Sequence, residues 1–271
     1  MAVEIRIFKA KAGLNWFKAG WELFKAQPGT FILMHLFIGV LSLIALVAPI
    51  FQLPAALAMP FFTAGFYRAM LNRQQGKQIA FTDLFDVFSE AGRRLMLFRL
   101  GLYHLFGGFI LALLTTTLFQ GLSEPINAYL QAVESQNVDL VQLHAQQVID
   151  SIQISNIIVL VAAYSLYTMC FAFTIPLVYF SKNNSILECI KASLLVFWHN
   201  MAALGVFGAI STGLILFAAF LSFIPLLFIL PILYAGFFVS FQAMFMSAMV
   251  EQTKPQNSDD TPSDNHDRFD A

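Results

Sequence analysis

Six stretches of this chain are apolar over roughly the 20 residues that an α-helix needs to cross the hydrocarbon of a bilayer. They cover residues 31–51, 54–71, 95–119, 154–180, 201–224 and 226–250. In hydrocarbon each backbone N–H and C=O must find a partner within the protein, and an isolated segment achieves this only as a helix. The expected fold class is an all-α membrane protein with six transmembrane helices, residues 28–250 forming the membrane domain. Composition agrees. Only 11% of the 271 residues are charged and 58% are hydrophobic, whereas a soluble domain carries charge on about a quarter of its residues. The net charge of −1 decides little, because what matters here is where the charges fall.

Their placement is one-sided. The 15 Lys and Arg residues lie in residues 1–27, in residues 68–99, at Lys182 and Lys191, and at Lys254 and Arg268. Residues 100–181 hold none, and six crossings put every basic residue on one membrane face. The positive-inside rule makes that face cytoplasmic, with both termini on it. An odd number of spans would break the partition. No apolar h-region opens residues 1–13, so the first span is expected to do the targeting.

Three polar-aromatic stretches precede the first, third and fifth spans. In residues 1–27, Phe8, Trp16, Phe17, Trp21 and Phe24 alternate with Lys9, Lys11, Lys18 and Lys25. That mixture predicts an amphipathic helix in the interface, tryptophans at headgroup depth and lysines toward phosphates. Residues 81–90 place Phe81, Leu84, Phe85 and Phe88 three and four apart and predict a second such helix. Residues 185–198 predict a third. The spans thus group as three hairpins, each preceded by a cytoplasmic interfacial helix. The extracytoplasmic loop 120–153 carries apolar groups at Ile126, Tyr129, Leu130, Val133, Val138, Val141, Val148 and Ile152. Helical caps and helical extensions of the spans both account for that pattern. Residues 251–271, rich in Asp, are expected to be a disordered tail.

A parallel internal repeat is visible. Pro54, Pro60, Ala64, Gly65 and Phe66 return as Pro225, Pro231, Ala235, Gly236 and Phe237. The first proline of each set suits the opening turn of a helix, and the second is expected to kink that helix. Gly65 and Gly236 would let another helix approach closely. A divergent middle copy has Pro176 late in its second span and lacks the Ala-Gly-Phe pattern.

Ionisable groups within spans are where function is sought in a membrane protein. His35 lies in the first span, and Arg99, Tyr103 and His104 lie near the cytoplasmic end of the third. Arg99 and Tyr103, at i and i+4, either face a polar cavity that takes a lipid phosphate or snorkel to the headgroups. His35 and His104 are expected to be neutral imidazoles bonded to neighbouring helices. Glu188 and Lys191 read as a surface pair, Cys170 and Cys189 as apolar filler, and Phe237, Phe238, Phe241 and Phe245 as helix packing. The chain has no phosphate-binding glycine loop, no His-Glu-x-x-His helix and no Gly-x-Ser-x-Gly elbow. No enzyme, cofactor, metal site or nucleic-acid partner is expected.

Gly20-Trp21-x-Leu23-Phe24 followed by Pro28, then Pro54, Pro60, Ala64-Gly65, Arg68, Gly76-Lys77 and Asp83-Leu84-Phe85, resembles a family of uncharacterised bacterial multi-pass membrane proteins. The resemblance is best over residues 13–90. It implies a bacterial inner-membrane location and six spans, and carries no substrate or active site with it. The functional expectation is a non-enzymatic membrane protein whose interfacial helices engage anionic lipid or a membrane protein partner. The alternative is a passive or exchange transporter of a small solute or lipid, with its path between the two proline-bearing hairpins.

Overall fold

The computed structural model describes residues 5–181 and 185–246. Eleven α-helices and no strand occur among them: α1 (Lys11–Lys25), α2 (Pro28–Val47), α3 (Gln52–Gln74), α4 (Ala91–Phe119), α5 (Ser123–Glu134), α6 (Val138–Ser151), α7 (Ile154–Phe171), α8 (Thr174–Phe180), α9 (Ile186–His199), α10 (Met201–Phe220) and α11 (Leu226–Phe241). Six helical runs are long and apolar enough to cross a membrane: Pro28–Val47, Pro49–Gln74, Ala91–Glu134, Ile154–Phe180, Met201–Phe220 and Leu226–Phe245. The expected tail 251–271 and the last residues of the sixth expected span, 247–250, lie outside the described residues.

Several boundaries move. The first turn comes at Pro49–Phe51, a 3₁₀ turn, and Pro54 sits within the first turn of α3. Ala48 is extended (φ −126°, ψ 98°), the conformation that a following proline imposes, and this ends α2. The sixth helix starts at Pro225 as its N-cap. Before it, α10 closes through Ser222 and Phe223, both left-handed at φ 72° and 63°. Pro60 and Pro231 are buried inside α3 and α11, and both helices run through them. The expected helix over 81–90 is replaced by two 3₁₀ turns, Phe81–Leu84 and Asp86–Ser89. Asp83 there accepts from the Ala80 N–H at 3.1 Å, a bond that satisfies a free donor at the start of the first turn. In this form Phe85 stands against Phe37 and Phe62 (centroids 5.4 and 5.7 Å), and Phe88 stacks on Phe61 at 4.7 Å.

The 120–153 loop is the pair α5 and α6, which pack on each other. With α4 and the turn Gln120–Leu122, α5 completes a helical run of 44 residues. Within it Phe119 leaves helical geometry (φ −116°, ψ 16°), so the run is not one straight helix. At 1.5 Å per residue α4 alone is about 44 Å, longer than the ~30 Å of bilayer hydrocarbon. The loop is helical, as both alternatives had it.

Hydrogen bonds gather the other ends of the long helices. The Gln27 amide, just before α2, accepts from the Ile79 N–H at 3.1 Å and donates to its carbonyl. Gln74 and Gln242 exchange amide bonds at 2.8 and 2.7 Å across α3 and the turn after α11. Arg93, at the start of α4, donates to the carbonyls of Val178 and Ser181 that finish α8. This is the basic end of the molecule.

Three segments there pack closely on α3, on α11 and on the α7–α8 run. A Cβ on Gly65 of α3 would strike the Leu84 carbonyl in the first 3₁₀ turn. On α11, Gly236 lies back to back with Gly20 of α1, so closely that a Cβ on Gly20 would strike the Gly236 main chain. Between α7 and α8 the helix breaks, and Ser193 of α9 fills the gap. Its hydroxyl donates to the Met169 carbonyl at 2.8 Å and accepts from the Phe173 N–H at 3.0 Å. A broken helix in hydrocarbon needs such a partner. Helix association in lipid relies on packing and polar contacts more than on apolar transfer. The core is correspondingly aromatic and closely fitted. Phe31, Phe66, Phe173, Phe238 and Phe241 are fully buried, and Phe173 stacks on Phe237 at 4.6 Å.

Candidate functional site

The sequence-derived candidates do not converge. On α4, Arg99 is exposed and Tyr103 is 40% exposed, whereas His104 faces inward. His35 lies on α2 between Phe66 of α3 and Tyr234 of α11, with ring centroids at 6.2 and 5.3 Å. Its Nδ1 is buried and has no hydrogen-bond partner. Through that nitrogen it does not make the cross-helix bond expected of it. Where α3 meets α11, within the two proline-bearing hairpins, Tyr67 stacks on Phe238 at 5.2 Å and Phe66 meets Tyr234 edge-on at 5.9 Å.

His104 does meet its expected neighbour. Its Nδ1 lies 3.1 Å from the Tyr167 hydroxyl on α7, which also donates to the His104 carbonyl at 3.3 Å. The Phe171 ring covers the imidazole at 4.2 Å. Gly107 permits this, because a Cβ there would strike the Tyr167 ring. The pair borders a cavity of about 490 Å³ between α3, α4, α7 and α8, walled by Pro60, Gly108, Phe109 and Ala112. No Lys, Arg, Asp or Glu lines it.

At the basic end, α1 has two faces. Gly13, Trp16, Gly20, Leu23 and Phe24 are buried against α10 and α11, while Lys11, Lys18, Trp21 and Lys25 are exposed. Trp16, expected at headgroup depth, is 4% exposed and packs edge-on against Phe8. A Cβ on Gly13 would strike the Ala203 carbonyl of α10, so small residues let α1 sink into the helix pair. Asn200, fully buried before α10, pins the segment that leads into α1. It accepts from the Phe8 N–H at 2.8 Å and donates to the Arg6 carbonyl at 3.1 Å.

No known protein family, curated protein or solved structure matches this chain.

A polar cluster that sequence reasoning missed joins α3, α4 and α8. Arg68 lies 2.6 Å from Glu90 and 3.8 Å from Asp86, and the Tyr179 hydroxyl donates to Glu90 at 3.0 Å. Positions 68, 90 and 179 share no periodicity, so only the fold could assemble them. Among the described residues no three His, Cys, Asp or Glu side chains form a metal-ligand group. Burial pushes the Cys189 thiol on α9 up to about 11. It stays protonated at neutral pH, and a thiol is a far weaker nucleophile than a thiolate.

Proposed function

We propose that this chain is a non-enzymatic protein of the bacterial inner membrane that engages anionic lipid headgroups through its cytoplasmic basic end. The observation that carries the proposal is the division of α1. One face is locked to α10 and α11 through Gly13, Trp16 and Gly20, which leaves Lys11, Lys18 and Lys25 outward beside Trp21. Lysines on a helix at a membrane surface each attract anionic lipid by about 1 kcal/mol. The Lys25 ammonium lies 5.7 Å over the Trp21 ring, an aromatic-cation pairing suited to headgroup depth.

The architecture proposed with this function is three units of one surface segment and one helical hairpin. In each, the surface segment grips the returning helix of the unit before it. The 81–90 segment grips α3, α9 grips the α7–α8 break, and α1 closes the series on α11. On this reading the parallel repeat is a repeat of grips, and Gly65 and Gly236 are their receiving surfaces. A ring closed in this way presents its basic surface to one leaflet, where lipid or a membrane protein partner can bridge the units.

The test uses the full chain in nanodiscs of mixed neutral and anionic phospholipid. Native mass spectrometry of the ejected complex should show anionic lipid enriched on the wild type. Replacing Lys9, Lys11, Lys18 and Lys25 by Gln should abolish that enrichment while helicity is retained. Equal enrichment on the two proteins would sink the proposal.

A further inference from the structure

Residues 247–271 carry six acidic side chains, Glu251, Asp259, Asp260, Asp264, Asp267 and Asp270, against two basic ones, Lys254 and Arg268. The described chain ends at Met246, in the turn Gln242–Met246 that follows α11. A short series of contacts sets that turn beside the exposed lysines of α1. The Gln242 amide exchanges bonds with Gln74 at 2.7 and 2.8 Å. Arg73, the neighbour of Gln74 on α3, donates to the Ala26 carbonyl at 3.1 Å and to the Lys77 carbonyl at 3.3 Å. Ala26 directly follows Lys25. The chain that continues to the acidic residues therefore leaves the bundle next to Lys25, Arg73 and Lys77.

The surface it leaves from is not neutralised. Lys25 pairs with Glu22 at 2.9 Å, but among the described residues no carboxylate pairs with Lys11, Lys18, Arg73 or Lys77. Lys11, Lys18 and Lys25 are exposed and seven residues apart, which puts them on one face of α1 about 10.5 Å from each other. Asp260, Asp264, Asp267 and Asp270 are separated by three or four residues, lengths of chain that span up to about 10–14 Å. Successive carboxylates can therefore meet successive lysines. Asp259 is 13 residues beyond Met246, a tether of up to about 45 Å, whereas α1 from Lys11 to Lys25 is about 21 Å long. We infer that the Asp-rich segment 251–271 docks on the lysine face of α1, its carboxylates taking the places at Lys11, Lys18 and Lys25 that lipid phosphates would fill. A tethered segment competes at high effective concentration. That competition rests on the lipid reading of this face, whereas the docking rests on charge and reach alone.

The experiment places the full chain in nanodiscs of zwitterionic phospholipid, where no anionic lipid competes. A carbodiimide then joins carboxylates to the amines they touch, and peptide mass spectrometry maps the links. Asp259, Asp260, Asp264, Asp267 and Asp270 should link to Lys11, Lys18 and Lys25 several-fold more often than to Lys191, an exposed lysine of α9. At about 1 M salt, where charges are screened beyond ~3 Å, the links should fall to the Lys191 level. Links to α1 no more frequent than to Lys191 would overturn the inference. So would links that join an isotope-labelled chain to an unlabelled one in a mixed sample, since a second copy would then be the occupant. In discs that also hold anionic phospholipid, deleting residues 251–271 should raise anionic-lipid enrichment several-fold with helicity unchanged. Replacing the five aspartates by Asn should do the same. Unchanged enrichment beside clear cross-links would overturn the competition. Cross-links without lipid enrichment on any of these proteins would remove the lipid reading and leave the docking standing.

Discussion

The two ends of this molecule are held in opposite ways. At the basic end Asn200, Ser193 and Thr174 are fully buried with hydrogen-bond partners, and glycines bring main chains into contact. At the far end the turns are apolar and bare: Val47 is 78% exposed, Ile50 80% and Phe220 88%. The α5–α6 pair buries only Ala132. Lipid tails solvate apolar side chains as well as a protein core does, so apolar surface alone does not draw helices together in a bilayer. Close packing therefore appears where the chain supplies small residues and polar partners. The glycine-to-main-chain contacts under 3 Å, at Gly13, Gly20 and Gly65, lie at the basic end. Among the described residues the far end has one such polar tie, from the Asn156 amide to the Leu118 carbonyl at 2.7 Å.

The sharpest way to break the comparison is to enlarge a glycine at the gripped end. Gly20→Leu places a side chain where the Gly236 main chain now lies, and Gly236→Leu places one against the Phe207 ring and the Trp16 carbonyl. Each should destabilise by more than ~4 kcal/mol, the range of severe overpacking. Recovery of folded protein from the membrane, followed by circular dichroism, reads the loss. Gly39→Leu on α2, where a Cβ meets nothing within 4 Å, should fold normally. Equal behaviour of these variants would erase the distinction between gripped and free helices.

A smaller effect is expected at Asn200. Asn200→Leu leaves the Phe8 N–H and the Arg6 carbonyl without this partner, and an unmade buried bond costs about 2 kcal/mol. Limited proteolysis should then cut residues 5–10 faster, while cleavage after α3 is unchanged.

At the far end the signs change. Phe223 holds a left-handed conformation that an L-residue reaches at a cost of 1–2 kcal/mol. Phe223→Gly should therefore raise stability by about 1 kcal/mol, seen as a higher unfolding temperature. The smallest change belongs to the projecting pair. Replacing residues 123–151 by a short Gly-Ser turn should shift stability by no more than about 0.5 kcal/mol, as for surface changes away from packed features. A large loss there would show that the far end carries stability after all.

Much of the membrane architecture was legible because it is local. Hydropathy over a helix length marks a span, and the six observed runs overlap the six expected ones. Charge counting is local in the same way, and it marks the segments that carry the basic residues. Boundaries shifted where local detail decides: Pro49 stops α2 earlier than Pro54 would have suggested, and residues 81–90 form two 3₁₀ turns whose phenylalanines pack against Phe37, Phe61 and Phe62. The candidate site was legible only in its parts. His104 was singled out as an ionisable group in a span, but Tyr167, 63 residues away, could not be assigned to it by spacing. Arg99 and Tyr103 were grouped with it by helical periodicity, yet that same periodicity turns them to the outer surface.

By itself the sequence determined that this chain is helical, how often it can cross a membrane and which segments carry its positive charge. These follow from backbone hydrogen bonding in hydrocarbon and from side-chain transfer energies, which act residue by residue. Only the tertiary structure decided that Gly20 meets Gly236, that Ser193 heals the break between α7 and α8, and that His104 of α4 meets Tyr167 of α7. Those depend on how two surfaces distant in sequence fit, and shape complementarity leaves no periodic mark on either strand of text that encodes it.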